Sequence, residues 1–370
     1  MNRRISIVAC VLVVALAAGF ALVRFQRPLQ QSVAADAIGR AFHSHRLNIV
    51  LLGYQQDEGN SDTVVFAHLD VDRHTATLVS VPRDAWVAIP GHGHGKINAA
   101  IGYGGPRLTG RIVSQLFDAP VDATIAVAPA GAKQLVDALG GLNVDVERDM
   151  DYDDNAGNLH IHLKRGEQYL TGGQVLEYLR FRHDAESDWG RVRRQQHVLK
   201  DLLDTLSQPQ NWTKVPHLLD LARNDVQTTL TQEQLFALLQ AYRGVADEDV
   251  RTLTAPGRGT YVGDASVVAL DERWTHLFGR LLFGKSDPPQ DPVLVANATG
   301  VDRWNETVVG ALRGGGWNVA TFVDEPVRAA TSVSGTRRTG GLIAAIFGET
   351  LHAAKTTTLV VGSDFAPRKE

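Results

Sequence analysis

A chain of 370 residues with 44% hydrophobic and 21% charged residues has the composition of a globular protein, and its length favours two domains or one large domain with an appendage. Its 37 basic and 41 acidic residues give a net charge of −4, so no global positive field attracts nucleic acid and any anion site must be local. The single cysteine, Cys10, lies in the apolar N-terminal segment, which excludes disulfides, cysteine-ligated zinc and a cysteine nucleophile from the folded body.

That N-terminal segment, Ile5–Val23, is almost wholly apolar and has arginines on both sides. Its length is close to the roughly 20 residues that a helix needs to cross a membrane, and it exceeds the apolar region of about 7 to 15 residues in a cleaved signal peptide. We expect residues 1–24 to be an uncleaved signal anchor, with a cleaved signal peptide as the alternative. The short N-terminal head favours a single pass through the cell membrane, with the N-terminus in the cytoplasm and the body outside.

Patterns typical of strands and helices alternate after a juxtamembrane linker at 25–46. The continuous apolar run Asn48–Gly53 predicts a buried strand, and Thr63–Val71 and Ala76–Val81 predict a hairpin closed by four polar residues. Such alternation predicts a three-layer α/β/α sandwich with a mixed central sheet over residues 47–283. The remaining patterns in this region predict a strand at Asn143–Val146 and helices near Arg107–Phe117, Ala130–Leu139 and Arg191–Leu206. A further helix is predicted to begin after Thr171, which forms a capping box with Gln174.

A second, smaller α/β domain is predicted at 293–366. The segment 284–292 contains three prolines among polar residues and predicts a linker. The patterns beyond it predict strands at Val293–Ala296, Asn318–Phe322 and Thr358–Val361, and helices near Glu306–Leu312 and Leu342–His352.

The predicted hairpin brings two acidic residues together. In an antiparallel pair the start of the first strand lies beside the end of the second, so Asp62, with a partner near residue 85, meets Asp84, and Arg83 points to the same place. Two neighbouring carboxylates repel each other unless one is protonated or a cation lies between them. Mg²⁺, with Mn²⁺ as a substitute, suits two such ligands completed by phosphate and water oxygens. The alternative is that both aspartates only end strands and begin turns.

A first arginine cluster lies in Tyr178–His183. If this stretch is extended, Arg180 and Arg182 share one face, and the apolar residues between them share the other. Two guanidinium groups on one face form a forked receptor for phosphate oxygens. The alternative is an exposed edge with solvated arginines.

A second cluster begins the helix predicted at 191–206. Arg191, Arg194 and Gln195 occupy positions i, i+3 and i+4 and therefore share one face. Cations at a helix N-terminus oppose the helix dipole, and a bound anion would relieve that opposition. Asp188 could provide the same relief locally, so both interpretations stay open.

Together, these residues resemble the LytR-CpsA-Psr (LCP) family of cell-envelope glycopolymer ligases. Residues 293–366 resemble, more loosely, the LytR C-terminal domain. Many members of the family have a charged residue after the glycine of the first strand and an arginine before Ser-Asp-Thr, whereas this chain has Tyr54–Gln56 and Asn60 at those two places. The difference concerns glycan or acceptor specificity. The matching stretches lie between about residues 47 and 206 and are Asn48–Gly53, Ser61–Thr63, Ser80–Asp84, Lys96–Ala100, Tyr103–Pro106, Asp137–Gly141, Arg180–Asp184 and Gly190–Gln196.

The resemblance implies a membrane-anchored bacterial phosphotransferase that moves a glycopolymer from a polyprenyl-pyrophosphate carrier onto peptidoglycan during cell-wall assembly. It also implies that Asp62 and Asp84 hold Mg²⁺. The alternatives are a non-catalytic polyprenyl-phosphate-binding or attenuator-type regulatory protein, and a pyrophosphatase with water as the acceptor. The residues expected to act on the substrate are the catalytic Asp62, Arg83, Asp84, Arg180, Arg182 and Arg191, and the substrate-binding Lys96, Asn98, Arg194 and Gln195.

Overall fold

The computed structural model describes residues 37–55, 59–155, 159–181, 225–241, 249–284, 287–301 and 304–365, together with positions 194, 198, 201 and 205. The predicted anchor lies outside these residues. Within them, no helix is both long enough and apolar enough to cross a membrane.

The strands of the described chain are β1 (Arg46–Gln55), β2 (Asn60–Asp70), β3 (Thr75–Val81), β4 (Trp86–Ile89), β5 (Gly93–Lys96), β6 (Ala123–Val127), β7 (Leu142–Val146), β8 (Met150–Asp154), β9 (Leu159–Leu163), β10 (Gly166–Leu170), β11 (Val226–Thr228), β12 (Val250–Thr254), β13 (Gly257–Val262), β14 (Ala265–Leu270), β15 (Val293–Ala298), β16 (Val319–Asp324), β17 (Ser332–Gly335), β18 (Leu351–Ala353) and β19 (Thr357–Gly362). The longer helices are α1 (Ala100–Phe117), α2 (Pro129–Leu139), α3 (Gly172–Arg180), α4 (Gln232–Ala241), α5 (Glu272–Leu282), α6 (Trp304–Gly314) and α7 (Thr339–Phe347).

The central sheet has the strand order β11-β6-β1-β2-β3-β12. The hairpin β2–β3 and the pairs β1–β2 and β6–β11 are antiparallel, whereas β1–β6 and β3–β12 are parallel. Side chains alternate between the two faces of β1. Val50 and Leu52 pack with α1, α5 and α6, and Ile49 and Leu51 pack with α4. Helices therefore cover both faces of a mixed sheet, as the sequence predicts.

The strands and helices predicted in the first half of the chain correspond to β1–β3, β7, α1 and α2. The capping pair is also confirmed, because the side chains of Thr171 and Gln174 each accept a hydrogen bond from the backbone of the other residue. The extended conformation predicted for Tyr178–His183 is wrong for its first part. Helix α3 continues through Arg180, and Phe181 after it is extended, with φ −61° and ψ 129°.

The three strands and two helices predicted in the C-terminal unit are present, one helix ends earlier than predicted, and strands β17 and β18 were not predicted. The predicted helix Leu342–His352 stops at Phe347, because Gly348 adopts a left-handed conformation with φ 74°. His352 lies instead in β18. The hairpins β4–β5 and β13–β14 were not predicted, and of the helix predicted at 191–206 only positions 194, 198, 201 and 205 are described, all helical.

The C-terminal unit, whose five strands have the order β16-β15-β19-β17-β18, packs against helix α5. Most of its buried apolar residues belong to the same core as α1 and α5. Two buried tryptophans join the units by hydrogen bonds: Nε1 of Trp274 donates to the carbonyl of Phe365 at 3.0 Å, and Nε1 of Trp317 donates to that of Leu281 at 3.2 Å. The unit is therefore fixed in place by shared packing.

Candidate active site

The first two site residues meet at one end of the β2–β3 hairpin. The register pairs Val64 with Val81, which places Asp62 level with Arg83. The expected partner near residue 85 is therefore wrong by two positions, because the turn is centred one residue earlier than the sequence indicates. Asp84 follows immediately, so both aspartates still lie at the same end of the sheet, as predicted.

Two cations hold these carboxylates. Nη1 of Arg83 donates to Oδ1 of Asp62 at 3.0 Å, and its Nε lies 3.7 Å from Oδ2 of Asp84. Nζ of Lys96 lies 2.8 Å from Oδ1 of Asp84. Asp62 is buried, with 6% of its surface exposed, whereas the side chain of Asp84 is 35% exposed. The site therefore has a buried carboxylate at its base and an accessible one at its rim.

The segment that supplies Lys96 is attached to the hairpin through its backbone. Lys96 pairs with Trp86 across β4–β5. The N–H of Asn98 donates to the carbonyl of Arg83 at 3.1 Å, and the carbonyl of Asn98 accepts a hydrogen bond from Ser61 at 3.4 Å. The residues predicted from two separate motifs thus lie side by side.

Helix α3 places Arg180 at its C-terminal end. Its N-terminus is fixed because the N–H of Gly172 donates to Oδ1 of Asp137 at 2.8 Å. The hydrogen bond from Lys133, together with that from Gly172, lowers the pKa of Asp137. Burial raises the pKa of Glu177, one turn before Arg180, and the nearby His162 and Arg180 partly oppose this effect.

Arg194 is wholly buried beneath the residue that follows α3. Its Nη1 donates to Oε1 of Glu147 at 2.8 Å, and its Nη2 donates to the carbonyl of Phe181 at 2.7 Å. Its guanidinium carbon also lies 5.7 Å from the centre of the Phe181 ring. These contacts fix the backbone next to Arg180. Sequence reasoning missed Glu147, because nothing in its own neighbourhood distinguishes it from a surface acid.

The remaining predicted contacts, Arg182, Arg191 and Gln195, lie outside the described residues, and their roles stay predictions. Within the described ranges, no three histidine, cysteine, aspartate or glutamate side chains are grouped to hold a metal ion. The pair Asp62 and Asp84 still fits Mg²⁺, which needs only one or two protein carboxylates when phosphate and water oxygens complete its shell.

Sequence reasoning also missed a polar contact at this end of the sheet. Tyr54, just past a register shift in β1, accepts a hydrogen bond at 3.0 Å from Nε2 of Gln227 in β11. Burial is the main cause of a raised pKa for Tyr54. The two residues are far apart in sequence and only the pairing of β11 with β6 joins them, so no local pattern could indicate the contact.

The chain is similar to several curated proteins. It is 32% identical over 225 residues to the Bacillus subtilis (strain 168) protein named polyisoprenyl-teichoic acid–peptidoglycan teichoic acid transferase TagV, an alignment that covers 60% of this chain and 58% of TagV. It is 30% identical over 221 residues to the regulatory protein MsrR of Staphylococcus aureus (strain Mu50 / ATCC 700699), covering 58% of this chain and 66% of MsrR. The chain thus spans less than two thirds of each of these relatives.

Solved structures have the same fold. The crystal structure of B. subtilis TagV matches with a TM-score of 0.50 and 28% identity, covering 63% of this chain and 93% of that one. The crystal structure of B. subtilis TagU matches with a TM-score of 0.50 and 25% identity, covering 66% and 99%.

The sequence profile described as the LytR_cpsA_psr family matches residues 27–277. This range includes the β2–β3 hairpin, α3 and every residue of the candidate site. The chain therefore belongs to the LytR_cpsA_psr family.

Proposed function

We propose that the protein is a phosphotransferase that moves a glycopolymer from a polyprenyl-pyrophosphate carrier onto peptidoglycan. The observation that supports this most is the arrangement of Asp62, Arg83, Asp84 and Lys96, in which two carboxylates and two cations converge at one sheet end. The printed names of TagV and of the Oceanobacillus iheyensis TagU, 33% identical over 223 residues, describe transfer of this kind between a polyisoprenyl-linked polymer and peptidoglycan.

Asp62 and Asp84 would hold Mg²⁺, or Mn²⁺ in its place. When bound, the ion supplies positive charge against the pyrophosphate. Arg83 and Lys96 already lie at the carboxylates, and both can contact phosphate oxygens when those carboxylates take up the cation. Arg180, with the predicted Arg182, Arg191 and Gln195, would bind the rest of the pyrophosphate. Phosphoryl transfer relies on such positioning and charge stabilisation, so a covalent nucleophile is not required.

The reaction joins an acceptor hydroxyl of the wall to the phosphorus nearer the glycan. As the new phosphorus–oxygen bond forms, the bond from that phosphorus to the bridging oxygen breaks, and polyprenyl phosphate leaves with that oxygen. The hydroxyl proton passes to a carboxylate, either Asp62 or Asp84. The arginines and Lys96 would stabilise the negative charge that gathers on the leaving phosphate.

Residues 1–24 would anchor the protein in the cell membrane, with the catalytic body outside the cytoplasm. The apolar segment Ile5–Val23 supports this placement, because the carrier lipid and peptidoglycan are both reached from the outer face of the membrane. A C-terminal fusion to alkaline phosphatase, which folds only outside the cytoplasm, is expected to be active. An inactive, stably expressed fusion would contradict the orientation.

The deciding experiment is a reconstituted transfer assay with lipid-linked glycopolymer, peptidoglycan fragments and Mg²⁺. We expect Asp84→Ala and Arg182→Ala each to lower turnover by about 100-fold or more. The matched control is Asp264→Asn in the exposed turn between β13 and β14, which is expected to be as active as the natural protein. Near-normal turnover in both site variants would reject the assignment.

The same assay separates the other two interpretations. The name of MsrR describes a regulatory protein, which favours a non-catalytic binder as the second candidate. A binder retains the polyprenyl-phosphate lipid but forms no product with or without Mg²⁺. A pyrophosphatase releases free glycopolymer phosphate in place of the peptidoglycan conjugate, which product analysis identifies.

A further inference from the structure

A groove of about 700 Å³ lies between helix α1 and the first residues of β6, beside the turn that follows β11. Its wall on the helix side carries two arginines one turn apart. The residues that line it include Arg107, Arg111, Ser114, Asp122, Thr124 and Thr229.

The groove runs from the early part of helix α1, on the side of the candidate active site, towards the opposite end of the central sheet, where Ile49 of β1 pairs with Ala123 of β6. Helix α1 follows directly on the segment of Lys96 and Asn98. Its first turn lies against the residue that precedes β2, because a Cβ on Gly102 would clash with the carbonyl oxygen of Gly59. At its near end the groove is lined by Gly104. From residue 107 to residue 114 the helix then leads away from the site by about 10 Å.

The two arginines are the cationic residues among those that line the groove. Both are exposed, and within the described part of the chain neither forms an ion pair or a hydrogen bond. The hydroxyl of Ser114 donates to the carbonyl of Ala119 at 2.7 Å, and the N–H of Thr124 donates to Thr229 at 2.9 Å. The hydroxyl of Thr124 itself is buried away from solvent.

The acidic residue of the groove does not cancel this charge. The carboxylate of Asp122 accepts a hydrogen bond at 2.6 Å from the backbone N–H of Asn48 in β1. This hydrogen bond holds the start of β1 at the end of the sheet opposite Asp62, and the single negative charge of Asp122 faces two arginines. The groove is left with a net attraction for anions.

We infer that this groove binds the anionic chain of the donor glycopolymer, through phosphate or carboxylate groups that recur along the polymer. The inference rests on the proposed function and extends it to the part of the substrate beyond the pyrophosphate. Arg107 and Arg111 stand at i and i+4, about 6 Å apart along the helix axis, which suits anionic groups repeated along a chain. Guanidinium groups bind such oxygens with two parallel hydrogen bonds. Because the whole protein carries a net charge of −4, a polyanion is attracted only where cations cluster.

The test measures binding of fluorescently labelled wall teichoic acid, a phosphate-bearing polymer, to the full chain in detergent. The double variant Arg107→Gln, Arg111→Gln is compared with a control that removes the same charge from exposed arginines elsewhere, Arg258→Gln and Arg313→Gln. Uncharged dextran of matched length and soluble peptidoglycan fragments are the comparison ligands.

We expect the groove variant to bind teichoic acid roughly tenfold more weakly than the natural protein at low salt, and the control variant to bind it with normal affinity. Dextran should bind to neither variant. Unchanged affinity in the groove variant, or an equal loss in the control, would overturn the inference. A loss confined to peptidoglycan fragments would also overturn it, because the groove would then serve the acceptor. Binding is measured without turnover, so the result stands even if the transfer assay finds no activity.

Discussion

The guanidinium of Arg83 lies between the carboxylates of Asp62 and Asp84, with Nη1 3.0 Å from the first and Nε 3.7 Å from the second. This contact lets the buried Asp62 and the partly exposed Asp84 approach each other at one end of the sheet. It also means that a divalent cation and this guanidinium compete for the same oxygens.

Replacement of Arg83 by Gln therefore has two opposite effects. We expect Mn²⁺ or Mg²⁺ to bind more tightly, because the competing positive charge is gone, while transfer falls by about 100-fold through loss of a phosphate contact. Titration of Mn²⁺ by electron paramagnetic resonance measures the first effect. Asp62→Asn and Asp84→Asn serve as the comparison and should weaken the binding of the cation. Tighter binding in those two variants would disprove the metal assignment.

Arg194 provides a prediction about stability and position. Its replacement by Met removes the hydrogen bonds to Glu147 and to the carbonyl of Phe181, which should cost about 3 kcal/mol of unfolding free energy. The exposed neighbour Arg148→Met is the control and should change stability by less than about 0.5 kcal/mol. Chemical denaturation measures both.

A second variant separates an anchoring role from a direct substrate contact. Adding Glu147→Gln to Arg194→Met removes the negative charge that Arg194 balanced and should recover part of the lost stability. If stability does not depend on Arg194 but lipid binding does, Arg194 contacts the substrate and the anchoring role is wrong.

The stability of the protein is expected to depend on pH through Asp137. The pKa of its carboxyl is lowered by Lys133 and by the N–H of Gly172, so the ionised form stabilises the fold. This contribution is complete above the unfolded value of about 3.9 and is lost as the pH falls through the lower folded pKa. Asp137→Asn should therefore destabilise the protein at pH 7 by less than about 1 kcal/mol, since the side chain is partly exposed.

The difference between the natural protein and Asp137→Asn should disappear in acid. Unfolding free energies measured by urea denaturation from pH 7 downwards provide the check. If the two unfolding free energies still differ below the folded pKa of Asp137, the asparagine destabilises the protein through its shape and not through the loss of charge.

The packing of the C-terminal unit on α5 can be tested with two glycines. A Cβ on Gly315 would clash with the carbonyl oxygen of Leu281, so Gly315→Ala should lower the stability by about 1–3 kcal/mol. Gly341, inside α7, has no neighbouring atom within 4 Å of the place that a Cβ would occupy, so Gly341→Ala should raise the stability by roughly 0.5–1 kcal/mol.

Tryptophan fluorescence follows both variants, because Trp274 and Trp317 lie at the junction of the two units. We expect one unfolding transition for the whole body. Two separate transitions, with Gly315→Ala affecting neither, would show that the units fold independently.

The sequence was sufficient for the parts of the site that depend on local pattern. Alternation and a polar turn predict the β2–β3 hairpin, and the hairpin alone brings Asp62 and Asp84 together. The register was missed, because moving the centre of the turn by one residue leaves the apolar pattern almost unchanged. The capping pair of α3 was predicted because it too depends on local sequence.

What depends on distant contacts could not be predicted. Whether Arg180 ends a helix or begins a strand is decided by the packing of α3 on α2 and β9, and the local sequence allows both. The burial of Arg194 depends on Glu147 and on the carbonyl of Phe181, which lie in other segments. Tyr54 and Gln227 likewise meet only through sheet order.

The short separation of Asp62 and Asp84 along the chain bears on the order in which the protein assembles. Few residues need to be ordered before these acids meet, so the entropy lost in closing the loop is small, and a hairpin forms within about 1–10 μs. Arg180, and Arg194, which fixes the backbone beside it, come from distant segments and reach their positions only when non-local contacts form, which is slower. An unfolded chain would thus bring Asp62 and Asp84 together first, and the arginines that bind phosphate would reach the site last.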